Sequence, residues 1–263
     1  MWNNFAGSNI DYSIDDYHLP NVTTAMGYFF GQNMYTPDHA DAPSKRSKED
    51  RVFAGWLYGG AFAQRAAANQ MEHFELNMGI IGPSAFGGEL QTFVHDLVRQ
   101  DEPNGWEKQL EDEFAVDFTW LKKQYIGLPP FNRTSNFDSL LEYGFTVGSV
   151  HRNAVLSVLF RAGFNLPNDF GPGRLEAPAC AAYTVSDELT HFYLFARLSG
   201  KLVEHDRFLT GLHEKPAVGV IQFGGSFRYK SLELTYSQTF LTREYDEQPD
   251  ADSFASLTFM YRF

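Results

Sequence analysis

The stretch "SLTFMYRF", residues 256–263, decides how the rest of the chain is read. Leu257, Phe259, Tyr261 and Phe263 are apolar or aromatic, while Ser256, Thr258, Met260 and Arg262 are mostly small or polar. A period of two marks a β-strand with two unlike faces. The apolar face needs an apolar neighbour. That neighbour is either a protein core, as at the edge of a soluble β-sandwich, or lipid, as on the outside of an outer-membrane barrel. An aromatic terminal stretch suits a sandwich edge poorly, because chain ends fray in water unless tied down.

The same alternation recurs. In "EFAVDFTW" (113–120), Phe114, Val116, Phe118 and Trp120 share one face and Ala115, Asp117 and Thr119 the other. In "RNAVLSVLFRAGF" (152–164), Leu156, Val158, Phe160 and Phe164 oppose Ser157, Leu159 and Arg161. "HFYLFARLSGKL" (191–202) sets Phe192, Leu194, Leu198 and Leu202 against Tyr193, Arg197, Ser199 and Lys201. "VGVIQFGGSFRY" and "SLELTYSQTF" repeat the pattern on two strands that turn near Lys230 and Ser231. Strands of about 9–11 residues with one bulky apolar face and one polar face suit a tilted bilayer crossing. About ten are predicted, near 21–37, 51–68, 71–81, 113–126, 136–149, 151–164, 191–205, 217–229, 231–242 and 253–263. The loop-rich stretches 38–50, 167–187 and 242–251 are expected outside the cell, opposite short periplasmic turns.

Composition narrows the function classes. The chain has 263 residues, a net charge of −12 and 16% aromatic residues. Its mean hydropathy is −0.33. No run approaches the roughly 18 consecutive apolar residues of a spanning helix, which excludes a helical membrane protein and leaves a barrel open. The negative charge argues against a nucleic-acid partner, which calls for a basic face. The single cysteine, Cys180, excludes an intrachain disulfide framework and multi-cysteine metal clusters and reads as a small packed residue. No linker divides the chain, so residues 1–263 are read as a single domain.

One region breaks the strand rhythm. Between 88 and 112, Leu90, Phe93, Val94, Leu97 and Val98 have helical spacing. Pro103, Asn104 and Gly105 punctuate it, and Trp106 to Leu110 suit a further turn of helix. A short helical insertion between two strands is therefore predicted. Gln91 and His95, four positions apart, share one of its faces, with Asp96, Arg99 and Asp101 nearby. From spacing alone, a plain surface histidine is a better reading than a catalytic one.

"GQNMYTP" (31–37), "DRVFAGWLYGG" (50–60), "GIIGPSAFGGELQTFVH" (79–95) and "NGWEKQLEDE" (104–113), in this order and spacing, resemble the LpxR-type lipid A 3'-O-deacylase family of Gram-negative outer membranes. A terminal Phe behind alternating aromatics likewise resembles the signal read by the outer-membrane assembly machinery. The family resemblance implies a twelve-stranded antiparallel transmembrane barrel whose active site lies between the barrel wall and the outer leaflet. It implies calcium-dependent hydrolysis of an ester-linked acyl chain of lipopolysaccharide, with a histidine as general base as in secreted phospholipase A2. Outer-membrane lipids would surround a monomer.

Position by position, the resemblance puts the base at His95 and the glutamine one turn before it at Gln91. The family's acidic residue falls at Asp101, though in a continuous helix Glu102, seven positions on, lies closer to the face of His95. Lys45 and Arg46 match a basic loop suited to lipid A phosphates, and equally suit solvated loop charges. The family's first two strands, bearing an Asn-Asp pair and a Tyr-Thr pair, have no recognisable counterpart in "MWNNFAGSNIDYSIDDYHLP". Asn9, Asp11, Asp15 and Asp16 have oxygen donors of the type calcium prefers, with nothing to place them. With no signal peptide visible, the expectation is an N-terminally truncated barrel with an open seam, or a non-catalytic relative serving as a structural or binding protein.

Overall fold

The computed structural model describes residues 4–10, 22–37, 50–99, 104–127, 134, 136–173 and 190–261. These form one antiparallel sheet of eleven strands in chain order. The strands are β1 (Asn4–Ile10), β2 (Thr23–Tyr35), β3 (Ala54–Ala66), β4 (Gln70–Ile81), β5 (Glu113–Tyr125), β6 (Phe137–Gly148), β7 (His151–Phe164), β8 (Thr190–Asp206), β9 (Ala217–Tyr229), β10 (Leu232–Leu241) and β11 (Asp252–Tyr261). The ten predicted strands are β2 to β11. The seven-residue β1 is the addition, paired with β2 from Asn4↔Gly31 to Ile10↔Met26. Of residues 5–18, for which two strands would restore the missing segment, 5–10 lie on β1 and 11–18 are outside the described residues. Among the described residues β1 pairs only with β2 and β11 only with β10.

Because the side-chain period is two, the sheet sorts its own chemistry. Phe114, Phe118, Leu194, Leu198, Phe227 and Phe259 are exposed on the outer face, while Asp117, Ser157, Arg161 and Arg197 are buried on the inner one. Thr258 faces inward through its pairing with Thr235. A sandwich would cover the aromatic face with a second sheet, and none occurs among the described residues. Among the described residues no helix is long and apolar enough to cross a membrane, and the spanning elements are strands.

The sheet curls until distant strands meet across the lumen. Tyr35 of β2 stacks on Phe208, beyond β8, with ring centroids 3.7 Å apart. Trp56 of β3 lies 5.8 Å from the His151 ring at the start of β7. At the same end, Arg51 pairs with Glu244 at 2.7 Å and the Tyr245 hydroxyl donates to Asp50.

Strand parity corrects the expected sidedness of the loops. Segments 36–53, 82–112, 207–216 and 242–251 leave from one end, and the short turns 67–69 and 230–231 lie at the other. The long β7–β8 connection belongs with the short turns, not with the other long loops. Its described part, 165–173, folds back into the lumen. Lys123 Nζ donates to the carbonyls of Phe170 and Pro172 at 3.2 and 3.1 Å, and Arg197 donates to those of Pro172 and Gly173 at 2.8 and 2.9 Å. The reason is electrostatic: buried cations need acceptors, and a Gly- and Pro-rich chain supplies free carbonyls.

Candidate functional site

The predicted helical insertion is present as α1 (Gly87–Val98), preceded by a 3-10 turn at Pro83–Ala85 and followed by another at Trp106–Lys108. Its seat on the barrel follows from parity. Trp56 and Tyr58 point into the lumen, so Gly55, the position before Trp56, points out. Met26, Tyr28 and Phe30 point out from β2, and Gln32 continues their row. Gln32 donates from that outer face to the carbonyl of Ala85. A Cβ on Gly55 would stand 3.2 Å from both the Ala85 side chain and the Gly87 backbone, so the missing side chain is what lets the insertion lie flat on the wall. α1 is therefore docked on the outside of β2 and β3.

Two further contacts hold the insertion. Where the chain returns toward β5, the Asp112 carboxylate accepts from the Ser84 amide at 2.8 Å and its hydroxyl at 2.6 Å. The Ser84 hydroxyl, then its amide, hold that carboxyl below its usual range. Trp106 tilts against Phe53 at 5.1 Å, and a Cβ on Gly87 or Gly88 would run into its ring at 2.7 or 3.0 Å. α1 closes at Arg99, whose left-handed backbone (φ 58°) lets its N–H reach the carbonyls of Asp96 and His95.

Around α1, at about 100° per residue, Gly88, Gln91 and His95 fall on one strip and Phe86, Phe93 and Leu97 on nearly the opposite one. The first strip faces Trp106 and the wall, and Gln91 and His95 are half-buried on it. The second is open, with Phe93 65% and Leu97 75% exposed. Gln91 Oε1 accepts from Trp106 Nε1 at 2.8 Å. An indole N–H can only donate, so this bond fixes which way round the amide lies. The expected pairing of Gln91 and His95 one turn apart is thus present, with a neutral side chain orienting the glutamine.

Asp101, Glu102, Lys45 and Arg46 lie outside the described residues, as do Asp11, Asp15, Asp16 and Cys180. Asn9 pairs with Gly27 on β1. No group of three or more His, Cys, Asp or Glu able to hold a metal occurs among the described residues. The described donors that fix α1, namely the Gln91 and Gln32 amides and the Trp106 indole, do not by themselves fit calcium, which takes six to eight oxygens and favours carboxylates.

A second arrangement lies inside the wall. His151 Nδ1 stands 2.7 Å from Asp117 Oδ2, and Asp117 Oδ1 accepts from the amides of Val150 and His151 at 3.1 Å each. Both side chains line a lumenal cavity of about 100 Å³ together with Trp56, Asn77, Glu142 and Arg197. Sequence reading placed Asp117 inward but missed His151. The signal was the two-residue turn after Gly148, which sits opposite Asp117 and carries the chain back beside it. Gln32 was visible only as a letter within a quoted motif, and Trp106 only as the start of a further helical turn.

The model of the family "Outer membrane protein LpxR" matches residues 3–263. The solved structure of LpxR from Salmonella typhimurium superposes with a TM-score of 0.79 at 17% identity, covering 97% of this chain and 87% of that one. No curated protein matches. The chain belongs to the LpxR family and is an outer-membrane β-barrel.

Proposed function

We propose that this LpxR-family barrel hydrolyses an ester-linked acyl chain of lipid A, from the outer face of its own wall. The observation that carries the reading is the seat of α1: a histidine and a glutamine, one turn apart, held outside the sheet beside an exposed stripe of Phe86, Phe93 and Leu97. A lipid substrate reaches such a site within the membrane plane.

In this reading His95 accepts a proton from a water molecule as the water oxygen attacks the ester carbonyl. The tetrahedral intermediate collapses, the bond to the sugar oxygen breaks, and the imidazolium returns its proton to that oxygen. The products are a free fatty acid and a sugar hydroxyl. Gln91, with its oxygen turned to Trp106, presents its N–H groups to the water or to the developing oxyanion. Asp101 or Glu102 steadies the imidazole ring, and Lys45 and Arg46 meet the lipid A phosphates. Calcium enters the proposal as a dependence to be measured. No step above is routed through it.

The test is release of fatty acid from purified lipid A by detergent-extracted protein, followed by mass spectrometry with calcium and with chelator. Release that needs calcium and falls about 10²–10⁴-fold in His95→Ala supports the reading. No release by the folded wild-type protein in calcium would make it a non-catalytic barrel.

A further inference from the structure

We propose that Trp106 is a positioning residue for Gln91: its indole N–H sets the direction of the glutamine amide, and its ring sets the height of α1 above the wall. This inference rests on the proposed hydrolysis at His95 and extends it to a residue that touches neither water nor ester.

Three observations meet at Trp106. The 2.8 Å bond from its Nε1 to Gln91 Oε1 joins two half-buried side chains fifteen residues apart, on separate pieces of the insertion. Its ring lies so close to the first turn of α1 that neither Gly87 nor Gly88 has room for a Cβ. On another side the ring meets Phe53 on the chain leading into β3, where Leu110 N also donates to Phe53 O at 3.0 Å. The helix, the return segment and the wall are thereby referenced to one rigid side chain.

The chemistry follows from the donor inventory. A primary amide can turn over, exchanging its oxygen for its NH₂ with almost no change in shape. A glutamine that helps hold an attacking water or an oxyanion needs its NH₂ on the substrate side. A partner that can only donate selects that orientation, because the flipped amide would bring N–H against N–H. Among side chains, an indole is the planar group that combines a single donor and no acceptor with a large packing face.

A filler role and a positioning role predict different results. Trp106→Phe keeps most of the ring and removes the N–H. Losing one hydrogen bond's orienting effect is expected to lower kcat about three- to tenfold, with KM and unfolding midpoint nearly unchanged. In the Gln91→Ala background the same change should have no further effect, because the group it orients is gone. Gln91→Glu retains acceptors for the indole but loses the NH₂, so it should keep the Trp106 contact and lose activity.

A second readout does not depend on turnover. In ¹⁵N-labelled protein in detergent micelles, the Trp106 indole N–H resonance should shift in Gln91→Leu and stay in place in His95→Asn. Additive losses for Trp106→Phe and Gln91→Ala in an active enzyme would overturn the positioning role while leaving the hydrolase reading intact. An indole resonance indifferent to Gln91→Leu would overturn the contact itself. Absence of turnover in the wild type would instead defeat the hydrolase reading, and with it any role for Trp106 in catalysis.

Discussion

On the inner face of the wall, Arg161 is fully buried and donates to Asp138 at 2.6 and 2.9 Å, to Asp169, to the Tyr125 hydroxyl and to the Pro167 carbonyl. Lys123 and Arg197 meet Glu142 nearby, at 3.0 and 2.9 Å. On the outer face, the insertion offers a histidine and a glutamine on α1 and an indole on the turn after it, with Glu89 and Asp96 in the open, beside side chains that prefer hydrocarbon. The lumenal charges are locked by partners on several sides, while those of the insertion stand in the open on the face a lipid can reach. In this barrel, density of ionisable groups marks what holds the lumen together. The proposed reactive face is marked instead by two half-buried polar side chains, Gln91 and His95.

The largest break in that comparison is Arg161→Met, which leaves Asp138 and Asp169 buried without their cation. Removing one partner of a buried ion pair costs about 3–5 kcal/mol. The urea midpoint of the barrel, followed by tryptophan emission in vesicles, should fall accordingly, while turnover per folded molecule stays near wild type. An unchanged midpoint would show that the lumenal network holds nothing.

Gly55→Val makes the opposite cut. A branched side chain under Ala85 and Gly87 lifts α1 off the wall, since even a bare Cβ there sits at 3.2 Å from both. Misplacement by about 1 Å costs on the order of 10²-fold in rate. Turnover should drop by that order while the gel mobility of the folded barrel is unchanged. Normal turnover would mean that α1 need not lie flat to work.

The smallest effect concerns acid. The Asp112 carboxyl has its folded pKa lowered by the Ser84 hydroxyl and amide, so its contribution is present above the unfolded value of 3.8 and is lost as pH falls through the lower folded value. Amide exchange in 82–112 should stay slow from pH 7 to about pH 4 and quicken only below that. Quickening near pH 6 would point to a histidine as the latch instead.

Much of this was legible in the residues. The alternation in "EFAVDFTW" and "SLTFMYRF" sorts outer from inner because a pleated strand has no other choice, and Leu90, Phe93, Val94 and Leu97 announce α1 by their spacing. Three things were not legible. β1 escaped because "NFAGSNI" is short and mixes small and polar residues without a clear period. Segment 167–187 looked external because Pro, Asn and Gly signal a loop without saying which end it leaves from; strand parity decides that. The Asp117–His151 pair joins residues 34 positions apart, and only the register of β5 against β6 brings them together.

That pair supplies the most direct test. Asp117 and His151 form a carboxylate–imidazole contact of 2.7 Å beside a cavity, and a reading based on contact geometry alone would assign the chemistry there. Fatty-acid release from lipid A in calcium should be measured side by side for His95→Asn and His151→Asn, with folding confirmed for both. The account predicts a loss of about 10²–10⁴-fold for His95→Asn and release within about threefold of wild type for His151→Asn, whose amide still donates to Asp117. Release preserved in His95→Asn and lost in folded His151→Asn would place the chemistry in the lumen and contradict it.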